Sequence, residues 1–202
     1  LDMLLSTNPI AAAIPTLNEA PVVLDMATTV AAYGKVKAKA QRGEMMPEGW
    51  MIDRQGKPLL DPTKSEEGFL LPIGGYKGYG LSLIVGILAG TLNGAAMGRQ
   101  VIDFNKDFST TTNTGQAIAI IDPSAFGDIT EFKQNVDTLV RELRGSERMP
   151  GVDRIWLPGE QSHEKRLSNE AHGIVLAPSL MKQLNDLAAQ LNITPLNVEI
   201  QT

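Results

Sequence analysis

A chain of 202 residues with 43% hydrophobic and 20% charged content holds enough apolar material for one or two cores, which excludes wholesale disorder and a stapled mini-protein. Eighteen Lys and Arg against 23 Asp and Glu leave a net charge of -5, without the broad positive field that nucleic acids or anionic membranes attract. The absence of cysteine excludes disulfides, thiolate metal sites, iron–sulfur clusters and cysteine nucleophiles, and it fits a cytoplasmic chain.

The opening Leu1-Asp2-Met3-Leu4-Leu5 has no basic region and no cleavage pattern, so it does not read as a signal peptide. Two short apolar, β-branched runs, Ile10 to Ile14 and Val22 to Asp25, predict buried strands joined by a turn over Pro15 to Ala20. Thr28 or Thr29 is expected to cap a helix running to about Ala40, with Lys35, Lys37, Lys39 and Arg42 toward its negative end and Gly43 as its stop. From Glu44 to Gly75 prolines and glycines punctuate a long segment, read as a functional or interfacial loop. A helix is expected from about Gly78, with Leu81, Ile84, Val85 and Leu88 on one face. The stretch from Gly78 to Gly98 is too polar and too broken by glycine for a membrane span. Its glycines 86, 90, 94 and 98 predict either a close helix contact or a helix that ends near Gly90 with the later glycines in loop.

Ala117 to Ile121 predicts a strand closed by Asp122-Pro123, followed by a helix whose Phe132, Val136, Leu139, Val140 and Leu143 share a face. Gly145 to Gly151 reads as linker, Ile155 to Leu157 as a short strand or extended piece, and Pro158-Gly159-Glu160 as a turn. Pro178 opens a last helix with an apolar face of Leu180, Leu184, Leu187, Ala188 and Leu191. Helices interleaved with strands indicate a mixed α/β class, divided into residues 1–150 and a carboxy-terminal segment 151–202.

Most chemical signatures fail. Gly78-Tyr79-Gly80 lacks the third glycine of a dinucleotide fingerprint, since position 83 is Leu83, and Lys77 is followed by Gly78 where a phosphate loop needs Ser or Thr. His163 and His172 have no metal-ligand spacing, and both read as surface histidines; no metal site is expected. Three features remain. The run Gly74-Gly75-Tyr76-Lys77-Gly78-Tyr79-Gly80 is either a phosphate cradle or a tight turn with a solvated lysine. Asp25-Met26-Ala27 lies where a strand gives way to a helix, either as a ligand site or with Asp25 as a helix cap. Pro158-Gly159-Glu160 sets a carboxylate either beside a ligand or in a solvated turn.

Taken in order, Thr7-Asn8-Pro9, Leu24-Asp25-Met26-Ala27-Thr28, the glycine run through Leu81, and Pro158-Gly159-Glu160 with Arg166 and Gly173-Ile174 resemble the type 2, non-Rossmann malate/L-lactate dehydrogenase family. That family also includes ureidoglycolate, sulfolactate, 2,3-diketogulonate and Δ1-piperideine-2-carboxylate oxidoreductases. The resemblance implies a non-Rossmann NAD(P)-binding fold, a homodimer, and NAD or NADP as cofactor. The implied reaction interconverts a small 2-oxo or 2-imino acid with its 2-hydroxy or 2-amino counterpart. It further implies that Thr7, Asp25, Met26, Ala27, Lys77, Pro158, Gly159 and Glu160 contact the cofactor, with Ser6 standing where relatives often carry glycine. The family's acid/base histidine and its substrate-holding serine and arginine are expected upstream of the Thr-Asn-Pro motif, hence upstream of Leu1, so no catalytic residue is assigned here. The chain is accordingly expected to be a carboxy-terminal portion of the family fold. The alternative is a non-catalytic fragment serving as a dimerisation or binding module.

Overall fold

The computed structural model describes residues 2–104 and 106–196. The described residues divide into two units, one ending at Gly159 and the other beginning at Glu160.

In the first unit, β1 (Ile10–Ile14) and β2 (Val22–Met26) form strands at the β-branched runs and pair antiparallel in the register Ile10↔Met26 to Ile14↔Val22, but they are not the buried strands expected: four residues of β1 and two of β2 are exposed, because this ribbon has only two strands. The next helix, α1 (Tyr33–Arg42), starts later than expected. Its cap is Ala32, without a side-chain hydrogen bond, and neither Thr28 nor Thr29 caps it. Thr28 is instead fully buried, and its hydroxyl is bonded to the chain before β1. The carboxyl end is as expected: Gly43 adopts φ 65, and its N–H and that of Glu44 donate to Ala40 and Lys39 carbonyls.

The segment from Glu44 to Gly75 is more ordered than a loop. It contains β3 (Met51–Asp53), a 3-10 turn over Pro62–Glu67 and β4 (Gly68–Leu70), with β3 and β4 paired antiparallel. Its scattered apolar residues have a common destination: Met46 and Met51 pack with Val36 of α1, and Trp50, Leu59, Leu70 and Tyr33 close over them. A helix with one buried valine and two methionines five residues apart leave little periodicity to read, so the sequence alone does not show this core.

α2 (Tyr76–Ala89) begins two residues earlier than the apolar stripe suggests, which places Lys77 inside its first turn. The expected buried face is divided: Leu81 and Val85 are half-buried, while Ile84 and Leu88 are exposed. The helix is apolar on nearly all sides, a pattern of surfaces meant to be covered. The glycine row also divides. A Cβ at Gly86 or Gly90 would stand 2.9–3.0 Å from Asn8 or Ala96, a close contact within the chain. Gly94 and Gly98 follow the helix end in left-handed turns, with φ 69 and 65.

The expected strand at Ala117 to Ile121 does not form. Ile118, Ile120 and Ile121 are 84%, 91% and 74% exposed. β1 pairs with β2 and β3 with β4, so among the described residues no free edge is paired with this run. Ile155 to Leu157 likewise belongs to no strand. α3 (Ile129–Gly145) does form, capped by Asp128, whose carboxylate accepts from the Glu131 N–H at 2.8 Å.

The second unit contains α4 (Glu160–His172) and α5 (Pro178–Gln190). α5 opens at Pro178 and buries Ala188. α4 was not anticipated, because it carries no apolar stripe; i,i+4 pairs such as Arg166–Glu170 at 2.7 Å support a helix that is polar all round. Residues 197–202 of the predicted carboxy-terminal segment lie outside the described residues.

Candidate functional site

The connection leaving β2 is bonded on two sides. The N–H and hydroxyl of Thr28 both donate to the Thr7 carbonyl, at 2.9 and 3.0 Å, and the hydroxyl also reaches the Asn8 carbonyl at 3.1 Å. On the opposite side the Ile73 N–H donates to the Thr28 carbonyl at 3.0 Å and the Val30 N–H to the Leu71 carbonyl at 2.8 Å. From Ile73, Gly74 and Gly75 at φ 56 and 63 turn the chain into α2. A Cβ at either glycine would meet nothing within 4 Å, so the space beside the start of α2 is open to a ligand's approach. On β2 itself the Val23 N–H donates to the Pro158 carbonyl at 3.2 Å. Gly159 follows at φ 92, and a Cβ there would lie 2.9 Å from the Val23 carbonyl oxygen, so this approach requires glycine.

Thr7, Met26-Ala27, the Lys77 segment and Pro158-Gly159, scattered over 150 positions of sequence, are thus joined around β2 by direct bonds or by one intervening residue. Asp25 is an exposed position of β2 opposite Ala11 and caps no helix, since α1 starts eight residues later. Lys77 is exposed, and neither its ammonium nor the Asp25 carboxylate has a bonding partner among the described residues. Glu160 opens α4 and belongs to the second unit. His163 and His172 are exposed on α4, where His172 Nδ1 lies 3.0 Å from the Ser168 carbonyl.

The groups gathered in the first unit suit a polar ligand carrying negative charge. The first N–H groups of α2 lack intrahelical partners and stand at the positive end of its dipole, and Lys77, whose ammonium has no partner among the described residues, lies in the same turn. One free carboxylate on β2 accepts hydrogen bonds from hydroxyl or amide groups. A separate shallow cavity of about 580 Å³, lined in part by Asn93, Gln100, Asn113 and Thr114, contains none of these residues. Its asparagines are already bonded to backbone: Asn93 to the Leu88 and Gln116 carbonyls, Asn113 to the Gln100 carbonyl and Ile102 N–H. Among the described residues no group of three or more His, Asp or Glu is placed to hold a metal ion, and no helix is long and apolar enough to cross a membrane.

Three residues central to this arrangement are not among the site residues that the sequence predicts. Val23 offers no signal beyond its strand. Thr28 was read as a cap, and only its burial shows otherwise. Asn8, between Thr7 and Pro9, is a residue type favoured where φ turns positive, and its φ is 20.

The fold is a mixed α/β chain whose gathered segments bring backbone groups, the Lys77 ammonium and the Asp25 carboxylate to the surface of one unit. Residues 1–185 match the family model for malate/L-lactate dehydrogenase, and the chain belongs to that family. It is 40% identical over 189 residues to the malate/(S)-sulfolactate dehydrogenase of Methanothermus fervidus, covering 94% of this chain and 54% of that one. It is 34% identical over 178 residues to the NAD(+) ureidoglycolate dehydrogenase of Escherichia coli O157:H7, covering 88% of this chain and 50% of that one. Among solved structures, malate dehydrogenase from Pyrococcus horikoshii OT3 superposes with a TM-score of 0.80 at 29% identity, covering 96% of this chain and 54% of that one. The chain therefore spans about half the length of the relatives it matches.

Proposed function

We propose that the protein acts as an NAD(P)-dependent oxidoreductase interconverting a small 2-oxo or 2-imino acid with its 2-hydroxy or 2-amino counterpart. Thr7, Asp25, Met26, Ala27, Lys77, Pro158, Gly159 and Glu160 are its cofactor contacts. One observation carries this reading: in a chain of this family, segments far apart in sequence are bonded around β2, and Lys77 and Asp25 have no partners among the described residues. When bound, the nicotinamide group supplies or accepts the hydride. The chain's own part is binding and orientation. The Lys77 ammonium and the start of α2 attract the cofactor's phosphates, the Asp25 carboxylate accepts from its hydroxyl groups, and Gly74, Gly75 and Gly159 let the main chain come close. In this assignment residues 1–150 are the cofactor-binding part and 151–202 the carboxy-terminal segment.

The assembly proposed is a cytoplasmic homodimer. The exposed apolar surface of α2 and of Ile118, Ile120 and Ile121 supports a covering partner, and a monomer in sedimentation equilibrium at micromolar concentration contradicts it. For the cofactor site, a charge-assisted contact is worth about 1.5–3 kcal/mol, so Lys77→Ala raises the dissociation constant for NADH or NADPH roughly ten- to hundredfold. Titration followed by reduced-nicotinamide fluorescence measures it. An unchanged constant in a protein with parental circular dichroism removes Lys77 from the site.

A further inference from the structure

We propose that Asn8 is the positioning residue for α2, setting the helix and the Lys77 it carries against the crossing of Thr7 and Thr28. The part that concerns Lys77 rests on the cofactor reading above. Asn8 bonds to both partners at once. Its carbonyl accepts from the buried Thr28 hydroxyl at 3.1 Å, and its side-chain Nδ2 donates to the Ser82 carbonyl at 2.9 Å, across 74 positions of sequence. α2 is shaped to receive this side chain. One turn beyond Ser82, a Cβ on Gly86 would stand 2.9 Å from Asn8 Nδ2 and 3.8 Å from its Cγ, so the missing side chain there is the notch in which the amide lies.

Other means of fixing this part of α2 are few. Gly75 supplies no side-chain cap, and the Ser82 hydroxyl, on a residue 4% exposed, has no partner among the described residues. The turn at Ser82 is therefore held by the Asn8 amide and not by Ser82's own side chain. Lys77 lies five residues before Ser82, about 7.5 Å along the helix axis, so a shift of this turn is transmitted to the ammonium through rigid helix.

The test uses Asn8→Asp, which keeps the shape and removes the donor, Asn8→Ala, which empties the notch, and Gly86→Ala, which crowds the amide without removing it. Hydrogen exchange should accelerate about tenfold at amides 80–86 in these variants and remain parental at amides 132–143 of α3. The dissociation constant for NADH should rise about fivefold on Asn8→Asp, and by less than about twofold when the same change is made in a Lys77→Ala background. Parental exchange at 80–86 in all three variants overturns the proposal, as does acceleration spread equally into α3. Equal effects on NADH binding with and without Lys77 overturn the route through Lys77. A Lys77→Ala protein that binds NADH as tightly as the parent removes Lys77 from the cofactor site instead, and the exchange pattern still decides whether Asn8 positions α2.

Discussion

Asp137→Ala is expected to lower the melting temperature by roughly 6–12 °C, near the upper end for a single substitution in a chain of this size. Asp137 lies on α3 and is 1% exposed. Its two carboxylate oxygens accept from the backbone N–H groups of Leu17, Asn18 and Glu19 at 3.0, 2.9 and 3.4 Å, from the Asn18 side chain at 3.2 Å and from Arg141 at 3.3 Å. Alanine leaves three backbone donors of the β1–β2 turn without acceptors, and asparagine is no remedy because its amide sets donors against donors. Glu19, from the same turn, is held by Arg141 at 2.8 Å and Arg144 at 2.9 Å.

The same cluster makes stability depend on acid. Burial raises the Asp137 pKa, but the N–H groups of Asn18, Leu17 and Glu19 outweigh it and hold the carboxyl below its ordinary 3.8. The Arg144 and Arg141 hydrogen bonds hold Glu19 below its ordinary 4.5. Depressed carboxylates stabilise the folded state fully above their ordinary values, and the contribution is lost as pH falls through the folded ones. Melting temperature should therefore fall steeply below about pH 4 in the parent and less steeply in Asp137→Ala. Parallel pH profiles for the two proteins, with equal melting temperatures at pH 7, would show that the clamp contributes nothing.

Gly78→Ala should cost about 3 kcal/mol or more, while Gly80→Ala, two residues along the same helix, should be neutral or stabilising by up to about 1 kcal/mol. Alanine is the better helix former at both positions, so propensity alone predicts the same sign. Packing separates them. A Cβ at Gly78 would lie 1.9 Å from the Ile73 carbonyl oxygen and 2.8 Å from its carbon, whereas one at Gly80 meets nothing within 4 Å. Because the obstruction at Gly78 is backbone, relief requires moving α2 away from the segment that bonds Thr28, and with it Lys77. Urea unfolding of the two variants decides the matter: equal midpoints would mean that α2 does not lie this close to Ile73.

Much of the candidate site was legible because its residues sit in short motifs with glycine, proline and charge in fixed order. Thr7, Asp25 to Ala27, Lys77 and Pro158 to Glu160 were all named from the sequence, although their cofactor roles came from family resemblance and stand as proposals. Asp137 was overlooked, yet it left a trace. It lies between Val136 and Val140, three residues from the buried Val140, and an acid on the apolar side of an amphipathic helix requires a buried partner. Thr28 left none: a threonine after a strand looks the same whether it caps a helix or bonds a distant carbonyl.

Features whose energy is local can be read from the order of the residues alone. The strand runs of β1 and β2, the left-handed Gly43 at the end of α1, the first-turn Pro178 and the period of α3 all depend on residues within a turn or two, so neighbouring letters suffice to predict them. Where backbone groups from remote segments meet is set by the folded chain. Ala117 to Ile121 has the composition of a strand and forms none among the described residues, because a ladder needs a second edge that composition cannot supply. The late start of α1, whose approach is bonded to the Thr7 and Leu71 carbonyls, and the close approach of Gly159 to Val23 share one cause: each depends on a carbonyl from a remote segment, and a carbonyl is common to every residue and so leaves no mark in the sequence.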